Sequence, residues 1–252
     1  MDRLAQTALT ALRQMQDNKF DLANNLANVN VPGFRRDLPN EGNAGFLKEL
    51  DKLSAKVLPL ETEARKFSNE AGQLQNTGLE TDVAVLNEGF FYIQPENGEI
   101  ALSRRGDFGL NAQNQLVNGV GDLVLSDGLA PIILPNNFTS MSITDIGEVL
   151  VQQAGAPDGQ LTPVGFIGST SGEIDQLVKS LDGNIRKADG TVPAADQTAR
   201  FGQGFLESSN VSAIEELIRN IDMQRQFEIN VKLIKKASDL DSAGAKLMNL
   251  PT

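Results

Sequence analysis

Four clusters in this chain have residue types and spacings that chemistry uses. Glu80 with Asp82, and Glu96 with Glu99, are paired carboxylates of the kind that serve as general acid and base. Asp182-Gly183-Asn184, followed by Asp189-Gly190, resembles the start of an oxygen-ligand loop for calcium, and Gly119-Val120-Gly121 a fragment of a phosphate-cradling turn. Each falls short of a site. Among 33 Asp and Glu residues, neighbouring carboxylates are read as solvated surface. The aspartate turns lack the remaining ligands and the closing Glu of a calcium loop. The glycine pair has neither its third glycine nor a following helix pattern. Cys, His and Trp are absent, which excludes thiolate and imidazole metal sites and every nucleophile–imidazole triad. An enzyme built on this chain would work with carboxylates, lysines, hydroxyls or its single tyrosine, Tyr92. With that tyrosine alone and no tryptophan, there is little surface on which a sugar could stack.

Charge narrows the field further. Lys and Arg number 22 against the 33 acids, a net charge of −11 that repels phosphate backbones and anionic lipid, so no nucleic-acid partner is expected. The 252 residues suffice to bury a real core. No apolar run approaches the roughly 20 residues that cross a bilayer. The first thirty residues hold no uninterrupted apolar stretch of the secretory type, which by itself reads as cytoplasmic.

The elements that must position these groups differ between the ends and the middle. From Asp2 to Asn28 there is neither Gly nor Pro, and Ala5, Ala8, Leu12, Met15, Leu22, Leu26 and Val29 recur in steps of three and four, with Lys19 the polar member of the register. Within Leu22-Ala23-Asn24-Asn25-Leu26-Ala27-Asn28, three stripes run side by side: Leu22 and Leu26, Ala23 and Ala27, Asn24 and Asn28. Small residues permit close helix approach, and amides can bond across it. Val31-Pro32-Gly33 then stops the helix. At the other end Ser212 and Glu215 form a capping-box pattern. Ile214, Ile218, Ile221, Phe227, Val231 and Ile234 lie beside a second row of Ile229, Leu233, Leu240 and Leu247, on a helix that could reach about 50 Å. Between them short β-like runs include Val83–Leu86, Phe90–Ile93, Gly109-Leu110, Leu116-Val117, Leu123–Leu125, Ile132–Leu134, Met141–Ile143 and Glu148–Val151. Turn pairs such as Asn97-Gly98, Asn118-Gly119, Asp127-Gly128, Asp158-Gly159 and Asp189-Gly190 punctuate them. Phe46, Leu50, Leu53 and Val57 suggest a short helix in a connecting segment.

Several stretches together resemble the rod and hook family of the bacterial flagellum. They are Asn24-Asn25-Leu26-Ala27-Asn28-Val29-Asn30-Val31-Pro32-Gly33-Phe34-Arg35, Thr77-Gly78 with Asp82-Val83-Ala84-Val85 and Gly89-Phe90-Phe91, and Ser103-Arg104-Arg105-Gly106-Asp107-Phe108 with Gln115-Leu116-Val117. Gly204-Phe205-Leu206-Glu207-Ser208-Ser209-Asn210-Val211, with Gln224-Arg225-Gln226-Phe227-Glu228 and Lys232, is similar to the family's closing helix. The pattern departs from the family at Val31, Thr81, Asn87 and Leu102. Met1-Asp2-Arg3, Phe34-Arg35 and Asp189–Asp196 most resemble the family's proximal rod branch.

The resemblance implies a structural, non-enzymatic rod subunit that carries motor torque across the periplasm, with a distal-rod or hook-like sibling as the alternative. A carboxylate-dependent hydrolase or glycan-binding module is the reading from a different class. The implied partners are other rod proteins, copies of this chain and, during secretion, the flagellar type III export apparatus, with no cofactor or small-molecule substrate and no cleaved signal. The expected fold is α+β: discontinuous N- and C-terminal helices forming a coiled-coil-like helical domain, with a β-rich middle domain. The expected divisions are 1–33 (N-terminal axial helix), 34–76 (connector), 77–203 (β-rich middle) and 204–252 (C-terminal axial helix). The expected assembly contacts are Leu22, Ala23, Asn24, Asn25, Leu26, Ala27, Asn28, Gly33, Phe34, Leu206, Asn210, Val211, Arg225, Phe227, Glu228 and Lys232.

Overall fold

A computed structural model describes residues 2–39 and 65–248, apart from Asp158, Glu173 and Leu181. The Gly- and Pro-free opening forms helix α1 (Asp2–Ala27) and the closing stretch forms helix α2 (Ala213–Met248). Ser212 caps α2, its Oγ accepting the Glu215 N–H at 3.4 Å and its carbonyl the Glu216 N–H at 3.0 Å. The short helix suggested by Phe46, Leu50, Leu53 and Val57 lies outside the described residues, as do the side chains of Ala5, Ala8, Leu12, Leu233, Ile234, Leu240 and Leu247.

The chain divides into two units. One comprises Met1–Leu26, Pro39–Glu61 and Ser212–Thr252; the other comprises Ala27–Leu38 and Thr62–Val211. The second unit holds the sheets. Its largest sheet is antiparallel and runs, in spatial order, through 177–179, 185–187, 101–103, 90–94, 123–124, 116–117 and 109–110, with 169–170 pairing onto 90–91. A three-stranded meander is made by 138–143, 148–153 and 161–166. Two smaller ladders join 83–85 to 201–203 and 74–76 to 205–207.

Strand Phe90–Gln94 shows why the core sits where it does. Successive side chains point to opposite faces. Phe91 therefore joins one core with Val83, Phe108, Leu116, Val149, Ile167 and Phe201, while Phe90 and Tyr92 join another with Phe67, Leu102, Leu125, Leu177 and Ile185. A strand buried on both faces must be apolar at every position, which is what the run Phe-Phe-Tyr-Ile supplies. Phe91 stacks on Phe201 at a centroid distance of 5.6 Å, so the chain's late residues complete the core begun by its early ones.

The expectation of a coiled-coil-like domain at the termini is corrected by the structure. Among the described residues there are two helices and a middle made mostly of sheets, and no coiled-coil packing of the termini is shown. The reason lies in α2. At about 100° per residue, Ile214, Leu217, Ile218 and Ile221 share one face, whereas Phe227 lies about 130° and Val231 about 90° round the helix from the middle of that face. Leu217, Ile218, Ile221, Phe227 and Ile229 are all exposed, and Ile214 is 72% exposed. A seam needs one stripe that stays on one side, and this helix has two.

Candidate functional site

Pro32-Gly33, just past the end of α1, sends the chain onto the β unit. Gly33 has φ +66°, its N–H donates to the Glu207 carbonyl at 2.7 Å, and a Cβ there would lie 2.3 Å from the Arg104 carbonyl carbon. Only glycine can make that approach. The next residues run extended, with Asp37 bridging to Phe67, Ser68 N–H donating to Arg36 O at 2.8 Å and Leu38 N–H to Lys66 O at 2.9 Å.

This segment delivers Arg35 to a buried junction. The Glu207 carboxylate takes Arg35 Nη2 at 2.9 Å and the Gly72 N–H at 2.8 Å on one oxygen, and Arg104 Nε at 2.8 Å on the other. The side chains of all three residues are 4% exposed or less. Two guanidinium groups face one carboxylate, so backbone carbonyls take the surplus positive charge: Arg104 Nη1 donates to Asn87 O at 2.7 Å and Gly89 O at 2.6 Å, and Arg35 Nη1 donates to Glu70 O. Beside them Lys179 Nζ pairs with Asp37 at 2.7 Å, donates to Arg35 O at 2.8 Å and sits 3.6 Å from the centre of the Phe34 ring. Burial lowers the Arg35 pKa to about 10, against the attraction of Glu207 and with a further push from Arg104. Burial likewise lowers that of Arg104, opposed by Glu207. Arg35 remains cationic at neutral pH, with its charge held by fixed partners.

Both Glu207 oxygens are engaged and shielded from solvent, so the junction is a clamp with no group presented to a substrate. It fastens the stretch that follows α1 to the stretch that precedes α2, and both to the turn at Arg104. Asn210 reinforces it: Oδ1 accepts the Arg36 N–H at 2.7 Å, Nδ2 donates to Glu70 O at 2.7 Å and Ser68 O at 3.3 Å, and its own N–H reaches Phe34 O at 3.3 Å.

The structure thus brings Gly33, Phe34 and Asn210 together at this clamp and buries Val211 nearby in sequence, with Leu206 partly buried on the ladder to Gln75. On α1, Leu22 and Asn25 are buried, Asn24, Leu26 and Asn28 are partly buried, and Ala23 and Ala27 are exposed. On α2, Arg225, Phe227, Glu228 and Lys232 are exposed. The residues that sequence reasoning did not single out are Arg35, Asp37, Arg104, Lys179 and Glu207. A signal existed for three of them, since Arg35, Arg104 and Glu207 are charges of opposite sign lying inside three separate motifs. Of the carboxylate pairs, Glu80 accepts the Met141 N–H at 3.2 Å, and Glu99 lies at the surface 3.7 Å from Arg186. Asp182 and Asp189 close their own turns through Asn184 and Thr191.

Residues 203–247 match the family model described as the flagellar basal body rod FlgEFG protein C-terminal, and residues 84–151 the flagellar hook protein FlgE/F/G D1 domain. The flagellar basal-body rod protein FlgG of Buchnera aphidicola subsp. Acyrthosiphon pisum is 32% identical over 250 residues, 92% of this chain and 94% of the relative. FlgF of Salmonella typhimurium is 30% identical over 257 residues, 99% of this chain and all of the relative. FlgF of Escherichia coli is 28% identical over the same length and 99% of this chain.

Proposed function

The chain belongs to the flagellar basal-body rod family and is a structural subunit of the basal body, and on that premise we propose that it takes the proximal place in the rod. Relatives named FlgF and FlgG match this chain at similar identity, 28–30% and 29–32%. The proximal place therefore rests on the resemblance of Met1-Asp2-Arg3, Phe34-Arg35 and Asp189–Asp196 to the proximal branch. Its work there is mechanical. The observation that carries this reading is the clamp: within the sheet unit one buried carboxylate ties the stretch that follows α1 to the stretch that precedes α2, so a load entering by either stretch reaches the same junction. A structural, non-enzymatic role is the reading that the family supports. Ala23 and Ala27 on α1, and Arg225, Phe227, Glu228 and Lys232 on α2, are exposed and form the contacts to neighbouring subunits. Gly33, Phe34, Asn210 and Val211 hold the shape that presents them. Copies of this chain and other rod proteins are the partners, reached after export through the flagellar type III apparatus without a cleaved signal.

Imaging of purified basal bodies by cryo-EM, with side chains traced into this sequence, tests the reading. Density for the chain next to the hook would replace the proximal place by a distal one. A deletion strain that swims normally would overturn the rod role altogether.

A further inference from the structure

We propose that Asn97 is a site of spontaneous deamidation and isoaspartate formation, and that the fold shields Asn118, the other described Asn-Gly step, from the same reaction. In this reaction the backbone nitrogen of the following glycine loses its proton to a water-borne base and attacks the asparagine Cγ. A Gly98 N–Cγ bond forms, the Cγ–Nδ2 bond breaks, and Nδ2 leaves as ammonia with the proton returned from water. Water then opens the succinimide at either carbonyl to give aspartate or isoaspartate. No oxidant or reductant enters.

The reaction needs an unhindered following nitrogen, water, and room for the ring. Asn97 has all three: it stands exposed at the tip of the hairpin joining Phe90–Gln94 to Ala101–Ser103, and Gly98 has open space where a side chain would be. The bonds that hold it lie within the turn: Glu99 N–H to Asn97 Oδ1 at 3.1 Å, Gln94 Nε2 to Gly98 O at 3.1 Å and the attacking Gly98 N–H to Pro95 O at 2.9 Å, the one bond on that nitrogen that must open. Asn118 is in the opposite condition. It is 3% exposed, and its Oδ1 accepts the N–H groups of Val120, Gly121 and Asp122 at 2.9–3.0 Å. Its Nδ2 donates to Asp122 at 2.9 Å, and the Asp107 carboxylate and Arg105 guanidinium crowd Gly119. Ring closure there would first break this whole set of bonds.

At Asn97 the product inserts a negative charge between Glu96 and Glu99 and, as isoaspartate, one extra backbone carbon at an exposed tip whose contact outside the hairpin is the surface pair of Glu99 with Arg186 at 3.7 Å. The sheet survives, so the change accumulates in an intact subunit and records its age.

The test ages the full-length folded chain at mildly alkaline pH and maps its peptides by mass spectrometry, with a parallel sample in strong denaturant. The peptide containing Asn97 should convert to separated aspartyl and isoaspartyl forms at least about tenfold faster than that containing Asn118, because each bond that must open lowers the reactive population. In denaturant the two should convert at similar rates. An Asn97 that stays unchanged in the folded chain, or an Asn118 that keeps pace with it there, overturns the proposal.

Discussion

Removing the Glu207 carboxylate strands two guanidinium groups that have almost no contact with water. Breaking a buried pair in this way costs about 3–5 kcal/mol, more than surface ion pairs such as Arg186 with Glu99 contribute. Glu207→Ala should therefore shift the urea midpoint of the sheet unit far more than Glu99→Ala does; comparable shifts would mean that solvent reaches the junction. Glycine supplies a second comparison at this scale. Gly33 and Gly190 both have positive φ, at +66° and +74°, but a Cβ at Gly33 meets the Arg104 backbone and one at Gly190 meets nothing within 4 Å. Gly190→Ala should cost about 1–2 kcal/mol of backbone strain. Gly33→Ala adds a clash with main chain and should cost clearly more by the same denaturation measurement.

The stretch from Thr191 to Arg200 has no regular structure, yet it covers strand Phe90–Gln94 through hydrogen bonds from Tyr92 Oη to Pro193 O at 2.8 Å and from Thr170 Oγ1 to Ala194 O at 3.0 Å. Asp196 anchors it. Burial pushes its carboxyl pKa up, but hydrogen bonds from Ser171 and Thr198 outweigh that and hold it below the ordinary 3.8. Above 3.8 the carboxylate is ionised in both folded and unfolded chains, and its contribution is complete. As the pH falls through 3.8 the unfolded chain binds protons first, so stability declines until the folded pKa is passed. Asp196→Asn should be less stable at neutral pH and show a flatter acid limb in unfolding followed by the fluorescence of Tyr92, the only tyrosine in a chain without tryptophan. An acid limb identical to that of the parent would remove Asp196 from this role. On α1, the exposed Ala27 makes a different test. Ala27→Leu should leave the melting temperature of the isolated chain unchanged, since Leu is a good helix former in solvent. In the rod it should overpack the subunit contact at about 1–3 kcal/mol per interface and prevent completion, as scored by basal-body imaging.

At the scale of the whole molecule, the sheet unit is assembled from both ends of its sequence. Residues 201–203 pair with 83–85, residues 205–207 pair with 74–76, and Phe201 stacks in the core that Phe91 begins. Contacts this far apart in sequence cannot form until the late residues are present. A chain ended after Arg200 should therefore lack a cooperative unfolding transition. One ended after Val211 should retain it, because the second unit closes at that residue. A protease-resistant sheet core in the shorter chain would show that the early strands suffice. The longer chain should lose only assembly.

Local pattern was enough for the helical ends, the Ser212 cap and the core strand Phe90–Gln94, because a residue's periodicity, capping oxygen or unbroken apolar run acts within a few neighbours. It was enough for the family too, through motifs carried on contiguous residues. Strands such as Ala101–Ser103, Leu161–Phe166, Leu177–Lys179 and Ile185–Lys187 were not legible, being three to six residues long with polar or half-exposed positions that become strands only through their partners. Ile132–Leu134 went the other way, with the apolar run of a strand but only a bridge from Ile133 to Gln115. The clamp lay further out of reach. Arg35, Arg104 and Glu207 are separated in sequence by 69 and 103 residues, and each alone is an ordinary surface charge. Only the folded chain, by removing water from all three at once, turns them into one buried junction, since the strength of a charge pair depends on a surrounding dielectric that no local stretch of sequence contains.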